Sequence, residues 1–177
     1  WWSVRADSSA VLYTAPSEDG GKTWSAPVAV DTADLSSRGC DRTPPSIATW
    51  GDDPYLAYSM AASEGTGVFF AHLMSSMLHS PVPVIYGERL VGTAIAVEGD
   101  RVAVAYEEPN GSLRQVDVAL SVTQGHIFER RSTASRPIDA ATRPLVALAG
   151  SRIAVSWLTR RGADSAATRI VRVGRLE

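Results

Sequence analysis

Cysteine, lysine and histidine are scarce in this chain of 177 residues. The single cysteine, Cys40, excludes an intramolecular disulfide and any cysteine-built metal site. Lys22 is the only lysine, so positive charge is carried almost wholly by arginine. His72, His79 and His126 show no metal-ligand spacing of the H-E-x-x-H kind, and none adjoins an evident nucleophile. The sequence therefore assigns all three to structural or solvent-facing places. Apolar runs are only a few residues long, far short of the ~20 that a membrane-spanning helix needs. A formal net charge of −2 leaves no basic footprint for nucleic acid or an anionic membrane. Nothing requires a cofactor. The aspartates of the loop that holds Asp31, Asp34 and Asp41 lack EF-hand spacing, and no metal site is expected. The chain opens on Trp1-Trp2 without a visible leader, as a processed product or a segment of a longer protein would.

Hydrophobic content of 45% and charged content of 20% describe an ordinary globular chain. Its organisation shows in a repeat. Pro45-Ser46-Ile47-Ala48-Thr49-Trp50-Gly51 precedes Tyr55-Leu56-Ala57-Tyr58. Thr93-Ala94-Ile95-Ala96-Val97-Glu98-Gly99 precedes Val102-Ala103-Val104-Ala105-Tyr106. Pro144-Leu145-Val146-Ala147-Leu148-Ala149-Gly150 precedes Ile153-Ala154-Val155-Ser156-Trp157. Each unit is a strand of small residues, a glycine turn and a β-branched strand that ends in an aromatic. A period of ~40–50 residues with short strands is the pattern of a propeller blade. The small residues suit the innermost strand, where the axis is crowded.

The expected fold is therefore all-β, a β-propeller of four-stranded antiparallel blades. Its parts are a partial blade over 1–30, blades over 44–88 and 91–135, and a partial blade over 143–177. Strand signals number three, four, four and three along the chain. Bare sheet edges and faces favour association. Another chain segment or a second copy is accordingly expected to complete the ring.

Between two β-rich runs lies Ser17-Glu18-Asp19-Gly20-Gly21-Lys22-Thr23-Trp24. Asp19 can accept backbone N–H groups as an Asx turn does, and Gly21 suits a positive φ. Trp24 is expected to bury its ring under the turn and pin a hairpin. The pattern S-x-D-x-G-x-T-W resembles the Asp box of sialidases and related bacterial-neuraminidase repeats. Residues 121–128 resemble a decayed copy, with Ser121, Gly125 and Phe128 retained.

Strand order places the loop ahead of each inner strand on one face of the propeller, here the upper face, and the Asp-box turns on the opposite, lower face. The upper loops are polar: Asp31, Asp34, Arg38, Asp41 and Arg42 in one, Arg130, Arg131, Arg136, Asp139 and Arg143 in another. Glu88-Arg89 leads into the middle unit, and Arg5, Asp7, Glu64, Glu107, Glu108, Arg160 and Arg161 occupy the intervening loops. Arg42, Arg89 and Arg143 each stand just before an inner strand. Converging guanidinium groups bind a carboxylate bidentately.

This set resembles the sialidase arginine triad, and Asp41-Arg42-Thr43-Pro44 resembles that family's R-I-P segment. The resemblance implies an acid/base aspartate, Asp41 or Asp34, and a tyrosine nucleophile with a carboxylate partner. For that pair the sequence offers Tyr58 or Tyr106, with Glu107 or Glu108. Asp41, Tyr106 and Glu107 are the catalytic set it favours, and Arg42, Arg89 and Arg143 the ligand-binding set. Neighbours on a strand point to opposite faces, however, so the adjacency of Tyr106 and Glu107 does not itself make a pair.

The first reading is a segment of a sialidase-like glycoside hydrolase, an exo-glycosidase secreted or at the surface of a bacterium, with a glycan ligand. The second is a non-catalytic carbohydrate-binding propeller that uses Trp1, Trp2, Trp50 or Trp157 as sugar platforms. Inter-blade packing is the plainer expectation for Trp50 and Trp157. The third is a protein-interaction scaffold.

Overall fold

Long strands whose successive residues pack against different neighbouring sheets build this molecule. The computed structural model describes residues 1–74, 77–160 and 166–176. Among them are fifteen strands in four antiparallel sheets, and no helix. The first sheet holds β1 (Trp2–Val4), β2 (Ala10–Thr14) and β3 (Val28–Asp31), in that order. The second holds β4 (Ser46–Trp50), β5 (Asp53–Ala62) and β6 (Gly65–Met74), with the short β7 (Met77–Leu78) and β8 (Val82–Tyr86) both paired to β6. The third holds β9 (Val91–Glu98), β10 (Arg101–Asn110), β11 (Leu113–Ser121) and β12 (Arg130–Thr133). The fourth holds β13 (Thr142–Ala149), β14 (Arg152–Thr159) and β15 (Thr168–Arg175).

β9 touches both β4 and β13, so the inner strands lie side by side and the sheets radiate from them. This is the all-β propeller arrangement that the repeat predicts.

Odd and even residues of one strand feed different interfaces. On β10, Val102, Val104 and Tyr106 join a core with Tyr55, Val68 and Phe70 of the second sheet. Ala103 and Ala105 face the other way, toward Val155 and Trp157 of the fourth. On β5, Tyr55 and Ala57 join the first of these cores, while Leu56, Tyr58 and Met60 meet Leu12 and Val30 of the first sheet. β5 and β10 are each buried on both faces, and this explains why they read as continuous apolar runs.

Two sequence expectations meet a different structure. Trp24 is 66% exposed instead of buried beneath its turn. Its ring lies 3.7 Å from the position of a Cβ on Gly21 and lines an apolar cleft of about 430 Å³ with Trp1 and Tyr13. Trp50 is 49% exposed, so packing between sheets accounts for Trp157, which is buried, but not for Trp50. The outer strand β12 starts at Arg130, after the turn over 121–128 has used its backbone groups locally.

Candidate functional site

Three segments of the upper face meet in a cleft of about 290 Å³, lined by Arg38, Asp41, Thr43, Arg89, Val91 and Arg114. Arg38 and Asp41 come from the loop between β3 and β4, where the Asp41 amide donates to the Arg38 carbonyl at 3.0 Å. Arg89 leads into β9, which Val91 opens, and Arg114 is the second residue of β11. Among the described residues the Arg38 and Arg89 guanidinium groups hold no ion pair. Arg114 is tethered: it donates to the Arg89 carbonyl at 3.0 Å and lies 3.7 Å from the Glu107 carboxylate. Three arginines and one exposed aspartate, Asp41, thus line the cleft. The cleft can take an anion, since planar forks match carboxylate and phosphate oxygens.

The backbone here is held in an uncommon region. Arg89 and Arg143 have φ of 58° and 52° without being glycine. Such conformations cost about 1–3 kcal/mol each and cluster at ligand sites. Arg143 lies within β13 at an irregularity of its pairing with β14, and Gly92 (φ 59°) is likewise left-handed near the start of β9. Arg143 is thus a bulge residue and not one that precedes the strand. Its amide donates to Glu107 at 2.8 Å, and its carbonyl accepts from Arg169 at 3.5 Å.

Arg42 is taken up by its own loop. It pairs with the buried Asp34 and donates to the Gly39 carbonyl, to the Ser8 and Ser36 carbonyls at 3.1 Å, and to Ser36 Oγ at 3.0 Å. Its side chain is 5% exposed. Burial pushes the Asp34 carboxyl up, but hydrogen bonds from Arg42 and Ser36 outweigh it and hold the group below the usual range. The structure thus gives Arg42 a place as an internal tie of the long loop, while Arg38 and Arg114 stand in the cleft beside Arg89. Sequence reasoning passed over Arg114 because it lies in a third strand and does not precede an inner one.

Tyr106 and Glu107 project to opposite faces of β10. The Glu107 carboxylate, 7% exposed, turns toward Arg114 and the Arg143 amide. Tyr106 turns toward the second sheet, and Arg131 Nε, from β12 of its own sheet, donates to its hydroxyl at 2.9 Å. Burial drives the Tyr106 hydroxyl up to about 12, although Arg131 opposes the shift. Glu108 lies on the Tyr106 side, 3.3 Å from Arg131, and Asp117 stands opposite Tyr106 in the strand register. The hydrogen bond between Glu108 and Asp117, and then burial, raise Glu108 to about 7. Two carboxyl groups that share one proton can give or take it near neutrality. Strand parity alone puts Glu108 with Tyr106, but Asp117 and Arg131 are found only through register.

Tyr58 is fully buried and donates to Asp31 at 2.5 Å, closed off from solvent. Of the other upper-loop residues, Arg136 binds Asp139 at 2.9 Å, and Arg161 lies outside the described residues.

No family model matches the chain, and no curated protein matches it. Solved structures do. One is a thermostable family-43 glycoside hydrolase, with a TM-score of 0.54 at 14% identity over 98% of this chain and 65% of that one. Another is the family-43 endo-arabinanase of Bacillus licheniformis, with a TM-score of 0.51 at 14% identity over 98% and 70%. A third is the Trypanosoma rangeli sialidase in complex with the inhibitor DANA, with a TM-score of 0.50 at 11% identity over 94% and 27%. The chain thus spans 65% of the first hydrolase and a smaller part still of the sialidase. At these identities the likeness is one of fold: this is the β-propeller scaffold on which those glycosidases are built.

Proposed function

We propose that this chain is the glycan-binding part of a sialidase-like glycoside hydrolase propeller, and that its upper cleft takes the carboxylate of an acidic sugar such as sialic acid. The cleft itself carries the reading: Arg38, Arg89 and Arg114 line it together with one exposed carboxylate, Asp41. Asp41 would then serve as the acid/base group beside the anomeric centre. The Asp-box resemblance of residues 17–24 and the glycosidase neighbours favour a sugar over other anions. The exposed faces of the first and fourth sheets favour closure of the ring by a further segment or a second copy.

One observation favours a non-catalytic, lectin-like role instead. Tyr106 and Glu107 lie on opposite faces of their strand, which divides the nucleophile pair that the sequence favours. The stacked Trp1 and Tyr13, 5.8 Å apart beside the apolar cleft, would then offer a sugar platform.

Proton NMR with sialyllactose tests both readings. Saturation transfer to the sialic acid protons is expected from the unaltered chain and should vanish in Arg89→Ala, an exposed position whose loss leaves the core intact. Release of free sialic acid establishes the hydrolase, and binding without release the lectin. Transfer that persists in Arg89→Ala and in Arg38→Ala places the sugar elsewhere, and its absence from the unaltered chain sinks the acidic-sugar reading.

A further inference from the structure

On the side of the molecule opposite the arginine cleft, three histidines that lie far apart in sequence come together. One ring nitrogen from each of His72, His79 and His126 lies within 4.8 Å of the others. His72 belongs to β6, His79 follows β7, and His126 sits in the turn after β11. The ring centroids are 4.5 Å apart for His72 and His79, 5.3 Å for His72 and His126, and 5.8 Å for His79 and His126. The first two residues stand in the second sheet and the third stands in the third, so the cluster bridges two blades.

Two details show that packing alone is an incomplete account. His72 is 2% exposed, and its Nε2 has no hydrogen-bond partner among the described residues. Buried polar nitrogens are nearly always satisfied, so an orphan requires a partner. His126 holds its Nδ1 2.7 Å from the Thr123 carbonyl, a position from which it donates and leaves the Nε2 lone pair for a cation. Metal-binding histidines characteristically anchor their second nitrogen in this way. The His79 amide also donates to the His72 carbonyl at 3.0 Å, which fixes the first two ligands beside each other.

We propose that His72, His79 and His126 bind a divalent first-row transition ion, Zn²⁺ foremost, which clips the second blade to the third. Three imidazoles suit Zn²⁺, Ni²⁺ or Cu²⁺, whereas Ca²⁺ and Mg²⁺ require oxygen ligands. Zn–N bonds of ~2.0–2.1 Å place tetrahedral ligand atoms ~3.4 Å apart. Small side-chain rotations of the less buried His79 and His126 close the remaining gap. A fourth position would be left to water, since His126 is exposed.

The site is separate from the arginine cleft and does not depend on the sugar reading. The test uses the full chain without a histidine tag, titrated with Co²⁺ and followed by its visible absorption. One Co²⁺ per chain with intense tetrahedral bands is expected, displaced by Zn²⁺. Saturating Zn²⁺ at about 100 times its Kd should raise Tm by roughly 5–10 °C, with EDTA reversing the rise. His79→Ala and His126→Ala, checked for an unchanged circular dichroism spectrum, should each weaken binding by more than about 10-fold. The proposal fails if no stoichiometric ion binds below about 0.1 mM. It also fails if the absorption stays weak and octahedral, or if His126→Ala binds as the unaltered chain does.

Discussion

Glu108 keeps its proton into the neutral range. The group sits at about 7 against an ordinary 4.5, through its hydrogen bond to Asp117 first and burial second, with Arg131 pulling the other way. The folded chain therefore holds this proton more tightly than the unfolded chain does. Stability from it is fully present below pH 4.5 and is lost as pH rises through about 7. Glu108→Gln keeps a donor in place at every pH. Its unfolding midpoint should vary less than that of the unaltered chain between about pH 5 and pH 8, and should exceed it at the upper end. Thermal denaturation followed by circular dichroism reads this directly, and an unchanged slope would move the proton to another group. Glu107, its neighbour in sequence, shares none of this environment because it faces the arginine cleft and the Arg143 amide.

At the scale of the element, two turns repeat one geometry with different chemistry. In the first, Gly21 N donates to Ser17 Oγ at 2.8 Å, and Thr23 N donates to Asp19 Oδ1 at 2.9 Å. In the second, Gly125 N donates to Ser121 Oγ at 3.0 Å, and Ile127 N donates to Thr123 Oγ1 at 3.1 Å. A threonine hydroxyl thus takes the place of the aspartate, and Gly21 and Gly125 share φ values of 86° and 88°. The accepted hydrogen bonds hold the Asp19 carboxyl down to about 2. The second turn is packed as the first is not: Phe128 meets Phe70 edge-on at 5.5 Å, and a Cβ on Gly125 would fall 2.1 Å from Phe70. Gly125→Ala combines that clash with a strained φ and should destabilise the fold by about 2–4 kcal/mol. Urea denaturation should show the midpoint falling, whereas an unshifted midpoint would mean that Phe70 moves aside freely.

At the scale of the whole molecule, the fourth sheet presents one dry and one wet face. Val155, Trp157 and Ile170 pack toward the third sheet. Leu145, Val171 and Val173 point the other way and are 55%, 62% and 61% exposed. Register aligns Leu145 with Ser156 and Ser156 with Val171, so the exposed residues form one continuous patch. Such patches mark association surfaces. The chain should self-associate as its concentration rises, and Val171→Glu with Val173→Glu should return it to a monomer in sedimentation velocity runs. A chain already monomeric throughout would assign the patch to a different partner.

The repeat, the small inner strands and the glycine turns were legible in the sequence because they follow local rules: period-two alternation, turn chemistry and crowding at an axis. The arginine-rich character of the upper face was legible for the same reason. Which arginines stand free was decided by tertiary structure alone. Arg42 and Arg89 look alike as residues near an inner strand, yet Asp34 and three carbonyls enclose one and leave the other exposed. The histidines make the point most sharply. Local sequence spacing carries no sign of them, because His126 reaches His72 and His79 only when one blade's turn packs against the next blade's strand.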